Sequence, residues 1–268
     1  MGLGRSIRLG RIFAHPSGRL CSVAVDHFFA YQKMMPPGLE NMPATLEAIV
    51  AGRPDSVTIQ KGAALACWGP FAGKVPMILQ SFLGRMEESI DDLIALPVDA
   101  VRMGADAYAT CAFVRGSGEV AHLGRVAKLL RQAHTWDMPL VLHVYPRKFA
   151  ADGTPSISHH PEDVAWAIRC AMEIGVDLIK VPYTGKPATY RQAIGRCPIP
   201  IVAAGGPKTE SVEAALTMAA EVISGGARGL TVGRNVWGFP NVTAIVKALC
   251  AVIHDGASPA DAMRKAGL

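Results

Sequence analysis

The sequence predicts an α/β fold: a (β/α)8 TIM barrel forming a single domain, residues 21–268, behind a short N-terminal extension, residues 1–20. Three observations carry that expectation. Short apolar runs alternate with helix-like stretches along the chain, as in a parallel sheet. Glycine recurs where helix gives way to strand, at Gly104-Ala105-Asp106-Ala107-Tyr108, Gly175-Val176-Asp177-Leu178-Ile179 and Gly226-Ala227-Arg228-Gly229-Leu230. A left-handed glycine ends a helix at such positions. Finally, 268 residues, 50% hydrophobic and only 6% aromatic, suit one large core of tightly packed helices on strands.

The elements follow in order. Strands are expected at 21–26, 55–60, 76–81, 106–112, 139–145, 176–182, 199–204 and 229–233. Each is a short apolar run bounded by turn residues. Helices are expected near 43–52, 63–72, 86–104, 118–136, 161–174, 186–195, 209–224 and 239–255, with a last one from Pro259 to Ala266. Pro161 followed by Glu162 and Asp163 is a good helix start, as is Thr209 with Glu210. The stretch Val98–Met103 fits an extended chain too, but Pro97 suits a first helical turn and Gly104 its end. Residues 147–160, with Gly153, Pro155 and two histidines, read as a mobile βα loop over the active face. The extension is placed over the barrel bottom. An open doubly wound sheet is the alternative fold; no GxGxxG follows the first strand to support it.

Composition narrows the function. The net charge is +5 without a dense Lys/Arg block, which argues against nucleic acid as a partner. No apolar stretch reaches membrane-spanning length. Arg5, Arg8 and Arg11 are not followed by the apolar segment of a signal peptide, so a cytoplasmic protein is expected. Cys21, Cys67, Cys111, Cys170, Cys197 and Cys250 are scattered with no CxxC spacing, so a disulfide framework and a zinc site are not expected. His27, His143, His159 and His160 lack HxxxH or HExxH spacing, and no metal site is assigned.

Lys180 is the one basic residue in the run Val176-Asp177-Leu178-Ile179-Lys180-Val181-Pro182-Tyr183. Burial disfavours its ammonium form, and a neutral amine can attack a carbonyl to form a Schiff base. The bland alternatives are a lysine snorkelling from a strand end or one paired with a carboxylate such as Asp177. Barrel chemistry sits at the C-terminal ends of strands. That rule selects Asp26, Lys61, Gln80, His143, Tyr145, Lys180, Gly205-Gly206 and Gly233-Arg234. The last two groups follow strands seven and eight, the usual phosphate site of such barrels. The inventory suits carbonyl chemistry on a phosphorylated substrate.

Together the motifs Val25-Asp26-His27, Gln60-Lys61-Gly62, His143-Val144-Tyr145-Pro146-Arg147, Asp177-Leu178-Ile179-Lys180, Tyr183-Thr184-Gly185, Ala204-Gly205-Gly206-Pro207-Lys208 and Gly233-Arg234-Asn235-Val236-Trp237 stand in barrel order over residues 15–255. In these the chain resembles the DhnA-type class I aldolases, a group that includes archaeal-type fructose-bisphosphate aldolase, aminodideoxyheptulosonate synthase and autoinducer-2 phosphate thiolase. The resemblance implies that Lys180 forms the Schiff base, Tyr145 moves the proton in C–C cleavage, and Asp26 assists carbinolamine formation and dehydration. It implies that Gly205, Gly206, Gly233, Arg234, His27, Lys61, Gln80 and His143 bind substrate or its phosphate. It further implies a phosphorylated sugar as substrate, no cofactor, no metal, and a homo-oligomer, possibly decameric. A nearby iminium or lysine cation is expected to lower the Tyr145 pKa. Three residues depart from the family pattern: Phe28 replaces a glycine and is expected to narrow the site, His143 stands where tryptophan is common, and Ala204 replaces a serine. The competing readings are transaldolase- or thiolase-type transfer, a non-catalytic phosphate-ligand barrel, and a metal-dependent lyase.

Overall fold

The computed structural model describes residues 2–30, 34–86 and 92–268. Eight parallel strands form the barrel: β1 (Leu20–Ala24), β2 (Ser56–Gln60), β3 (Met77–Gln80), β4 (Ala107–Val114), β5 (Leu140–Phe149), β6 (Leu178–Pro182), β7 (Ile201–Ala204) and β8 (Gly229–Val232). The spatial order is β4-β3-β2-β1-β8-β7-β6-β5, and β4 also pairs with β5. That last pairing runs in register from Tyr108↔Leu140 to Val114↔Pro146 and closes the sheet. The open-sheet alternative therefore falls. All eight strands lie where the apolar runs place them.

Helices cover the outer face. They include Met42–Ala51, Lys61–Cys67, Glu119–Thr135, Pro161–Ile174, Pro187–Ile194, Val212–Ser224 and Val242–Asp255, with Pro259–Ala266 last. Their apolar faces and the outward side chains of the strands form the larger core, with Leu46, Ile49, Tyr108, Leu130, Val164, Leu216 and Leu249 among its members. A smaller core fills the barrel's lower interior. It is built from Leu20, Ile78, Ala107, Ala109, Val141, Leu178 and Val202. The N-terminal helix Leu3–Ile12 inserts a fully buried Ile12 into this layer. Gly4 N–H to Asp137 Oδ2 (3.2 Å) and Arg11 to Asp106 Oδ1 (3.2 Å) hold the helix there.

Three segments differ from the sequence expectation. The helix expected at 86–104 is reduced to Pro97–Arg102, because Phe82–Leu83 and Asp92–Leu93 pair as a short antiparallel ribbon. Ile94 N–H donates to the Ser81 carbonyl, which holds the chain extended up to the proline. Residues 87–91 of that expected helix lie outside the described residues. The 147–160 segment is a β-ribbon: β5 runs on to Phe149 and turns back as Pro155–Ile157, with Arg147 opposite Ile157 and Phe149 opposite Pro155. The helix expected from 209 begins at Val212, capped by Ser211 Oγ on Ala214 N–H at 3.1 Å, because Thr209 is engaged elsewhere. No described helix is long and apolar enough to cross a membrane.

Candidate active site

Strand periodicity positions the site. Inward residues recur every second position, and register stacks them in levels. Val141 lies opposite Leu178 in the apolar floor, and two residues on His143 lies opposite Lys180. Lys180 also faces Val202, and His143 faces Cys111. Gln80 follows Ile78 on β3 in the same way. The interior thus turns from aliphatic to polar in one step.

Lys180 is 4% exposed. Burial in the barrel lowers its pKa from the ordinary lysine value, opposed by the negative charge of Asp26. Asp177, which follows the sequence's pairing alternative, lies at the other end of the strand. It accepts from Leu140 N–H (2.9 Å) and sits 3.1 Å from His134 Nε2 and 3.5 Å from Arg5. Lys180 is therefore neither a surface lysine nor its partner.

Gln80 orders the cluster. Its Oε1 accepts from Ser81 N–H (2.9 Å) and Phe82 N–H (3.1 Å), which fixes the amide's orientation. Its Nε2 then donates to Asp26 Oδ2 (3.1 Å) and His143 Nδ1 (3.1 Å). An accepting Nδ1 makes His143 the neutral tautomer with hydrogen on Nε2. Burial and the Lys180 charge agree, holding His143 well below the ordinary histidine pKa. Burial alone would raise the Asp26 pKa, but His27, Lys180, His143 and the Gln80 amide hold it below the ordinary carboxylate value. His27 Nδ1 lies 3.4 Å from Asp26 Oδ1, and burial takes His27 down to about 4 despite that carboxylate. Asp26 is ionised at neutral pH.

Tyr145 is level with Phe113 on β4, one inward step above His143. It packs against the cluster of Phe82, Cys111 and Phe113. Burial, with Cys111 and Asp26, pushes its hydroxyl above the ordinary tyrosine value, while Arg234 pulls the other way. The expected lowering by a lysine cation does not occur, and at rest Tyr145 is a protonated phenol.

The loops after β7 and β8 meet beside this cluster. Gly205 N–H donates to the Thr231 carbonyl at 2.8 Å, and Gly206 takes a left-handed φ of 66°. Gly233 passes so close to His27 that a Cβ there would lie 2.2 Å from the ring. Arg234 Nε is buried without a hydrogen-bond partner among the described residues. Asn235, which sequence reasoning did not single out, joins the two loops. Its Nδ2 donates to the carbonyls of Gly205 (2.8 Å) and Pro207 (3.0 Å), and its Oδ1 accepts from Thr209 N–H (2.8 Å) and Oγ1 (3.0 Å). Trp237 Nε1 donates to the Ala24 carbonyl (2.9 Å) and packs edge-on to His27, tying β8 to β1. The only advance signal for either residue was its place after Gly233-Arg234.

The structure thus gathers Asp26, His27, Gln80, His143, Tyr145, Lys180, Arg234 and the three glycines at one mouth. Lys61 is not gathered. It begins a helix one residue beyond inward-facing Gln60 and pairs with Asp99 at 3.2 Å outside the barrel. Phe28 does not fill the mouth either: it opens a short 3-10 turn, half-exposed, against Phe29. Ala204 lies level with Pro182 and Thr231 at the rim.

This arrangement can be set beside known proteins. Residues 20–238 match the sequence model of the DeoC/LacD family of aldolases. A class 1 fructose-bisphosphate aldolase of Thermoproteus tenax is 32% identical over 75% of this chain and 76% of its own. The 2-amino-4,5-dihydroxy-6-oxo-7-(phosphonooxy)heptanoate synthase of Streptomyces griseus is 26% identical over 98% of this chain and 95% of its own. A solved archaeal fructose-1,6-bisphosphate aldolase, with its catalytic lysine covalently bound to the carbinolamine intermediate of the substrate, superposes with a TM-score of 0.81. It is 28% identical, covering 93% of this chain and 99% of that one. The chain belongs to the DeoC/LacD family of aldolases.

Proposed function

We propose that the protein is a class I aldolase that reversibly cleaves a phosphorylated ketose to dihydroxyacetone phosphate, or a similar fragment, and an aldehyde. The observation that carries this reading is Lys180: a buried amine whose pKa is drawn down by burial, beside an ionised Asp26 and a protonated Tyr145.

The neutral Lys180 amine attacks the substrate carbonyl. Loss of water from the carbinolamine gives an iminium. Asp26 is the carboxylate that shuttles protons through these steps, and His143 Nε2–H is a donor for the carbinolamine hydroxyl. The iminium then accepts the electron pair when the neighbouring C–C bond breaks, and no metal is needed as electrophile. In the condensation direction, Tyr145 as a phenol gives its proton to the aldehyde oxygen. By reversibility its phenolate takes that proton back in cleavage, helped by the iminium charge. The Gly205-Gly206 and Gly233-Arg234 loops, with the unpartnered Arg234 guanidinium nitrogen, receive the phosphate. On the family resemblance we extend the reading to a cytoplasmic homo-oligomer, which light scattering coupled to size exclusion tests.

The test is trapping. The protein is incubated with dihydroxyacetone phosphate or fructose 1,6-bisphosphate, reduced with borohydride, and its intact mass measured. An adduct mapping to Lys180 and absent in Lys180→Met is expected. No adduct with either sugar phosphate, or one on Lys61 only, would sink the assignment. Inhibition by chelators with Lys180→Met still active would establish the metal-dependent reading instead.

A further inference from the structure

The polar mouth of the barrel holds one side chain that the chemistry above does not use. Gln60 is the last residue of β2 and is in register with Gln80 on β3. On the other side Ala24 is level with Thr58, so two residues on Asp26 stands beside Gln60. In the closed ring β2 is four places from β6, so Gln60 faces the Lys180 strand across the barrel axis. The residue is 8% exposed.

Its amide is held in one orientation. Nε2 donates to the Phe82 carbonyl at 3.3 Å. A carbonyl only accepts, so the amino group faces it and Oε1 is turned away. The Phe82 N–H meanwhile donates to Gln80 Oε1 at 3.1 Å. One backbone residue therefore fixes two neighbouring amides in opposite senses: Gln80 presents its nitrogen and Gln60 its oxygen. The Gln60 oxygen is buried without a hydrogen-bond partner among the described residues. Thr58 Oγ1, two residues earlier on the same inward face, is buried and unpartnered too. Ser56, two further down, is satisfied by Ser22 Oγ at 2.8 Å. The polar pairing of β2 is thus complete deep in the barrel and incomplete toward the mouth.

A buried acceptor without a donor is costly, so one left beside a reactive amine points to a donor on the ligand. A phosphate at neutral pH brings mainly acceptors, and the Asp26 carboxylate next door repels anions. A hydroxyl supplies the missing donor. With the phosphate at the loops after β7 and β8 and the carbonyl carbon at Lys180 on β6, the carbon beyond the carbonyl turns toward β2.

We infer that Gln60 is a specificity-determining residue, whose Oε1 accepts from the hydroxyl on the carbon next to the Schiff-base carbon, on the side away from the phosphate. The inference rests on the aldolase reading. It makes the donor substrate a ketone that carries this hydroxyl, in preference to its deoxy counterpart. Gln60 moves no proton; it fixes the rotation of the carbon that gains or loses the aldehyde.

Borohydride trapping on Lys180 is titrated with dihydroxyacetone phosphate and with hydroxyacetone phosphate, which lacks only that hydroxyl, in the parent protein and in Gln60→Met. Differences in intrinsic ketone reactivity cancel when the two proteins are compared. The half-saturating concentration of dihydroxyacetone phosphate should rise about tenfold in Gln60→Met, the weight of one neutral hydrogen bond, while that of the deoxy ketone is unchanged. Equal weakening of both ketones, or of neither, overturns the inference with the aldolase reading intact. No adduct with either ketone on the parent overturns both. Should Gln60→Met fail to fold, the crystal structure of the reduced adduct in the parent decides. The hydroxyl oxygen is expected within about 3.2 Å of Gln60 Oε1, and a hydroxyl bonded elsewhere overturns the assignment.

Discussion

Asn235 gives the sharpest test of how the mouth of the barrel is built. Its side chain is fully buried and makes four hydrogen bonds, two as donor and two as acceptor, between the loops after β7 and β8. A net of about 1 kcal/mol per bond, with water reaching some of the freed groups at the rim, puts Asn235→Ala at about 3 kcal/mol of lost stability. For a barrel of this size that is a fall in Tm of roughly 10 °C. Asn235→Asp separates bonding from packing. It keeps the volume but replaces two donors with an acceptor facing the Gly205 and Pro207 carbonyls, so it should be at least as damaging as alanine. On the proposed function, both variants should also raise KM for a phosphorylated ketose about tenfold or more, while Schiff-base trapping with a non-phosphorylated carbonyl changes little. Thermal unfolding by circular dichroism reads the first effect and steady-state kinetics the second. An Asn235→Asp protein melting within about 2 °C of the parent would refute the argument, because the side chain would then be only filling space.

Other expectations follow from the same geometry. Tyr145→Phe should leave the fold and the borohydride adduct on Lys180 intact while lowering turnover about 10²–10⁴-fold; an undiminished kcat would remove Tyr145 from the proton path. Gly233→Ala places a methyl 2.2 Å from the His27 ring and 2.8 Å from the Ala24 carbonyl. The ring is backed by Trp237, so the clash should cost about 1–3 kcal/mol, measured by denaturant unfolding; unchanged stability would mean that the ring swings clear. His27 has a folded pKa of about 4 against about 6.5 unfolded. The unfolded chain therefore binds the proton first, and stability should drop by about 3 kcal/mol as pH falls from about 6.5 to about 4. His27→Gln should lose less over that range in acid melts; an equal loss would place the acid sensitivity elsewhere, with His143 the next group to test.

The barrel was legible because its strands are apolar on both faces and its helices begin and end at proline, serine and glycine. Two segments were not. Between 82 and 96 a pair of two-residue strands displaces the start of a helix, and strands so short leave no periodicity to read. The 147–160 ribbon alternates Arg147, Lys148 and Phe149 against Pro155, Ser156 and Ile157, a pattern indistinguishable in composition from a polar loop. Within the site, residues at strand ends were readable because the strand-end rule and the period of two act together. Lys61 fails by one residue: Gln60 takes the inward position, so the next side chain points to the helices. Asn235 carried no signal beyond its place after Gly233-Arg234, because its three partners, Gly205, Pro207 and Thr209, lie in the loop after β7, which meets it only once the barrel closes. The Tyr145 hydroxyl was misjudged for a related reason, since the burial that raises it comes from Phe82 and Phe113, contributed by other strands.

The reactivity proposed for Lys180 depends as much on what lies beneath it as on its polar neighbours. Leu178, Val141 and Ile78 fill the level below, Val202 lies opposite Lys180 itself, and Ile12 packs into the same apolar cluster from the N-terminal side. The ammonium is therefore penalised from below whatever Asp26 supplies from the side. A lysine two residues earlier would sit in the aliphatic floor with no counter-charge. One residue earlier or later it would point to the helices, where the outward face of the barrel is lined with aliphatic side chains and holds no carbonyl substrate. On this strand only the level shared with His143 combines desolvation, a carboxylate and an open mouth. The amphipathic interior, aliphatic below and polar above, is thus the physical reason that a buried lysine at this position points to chemistry.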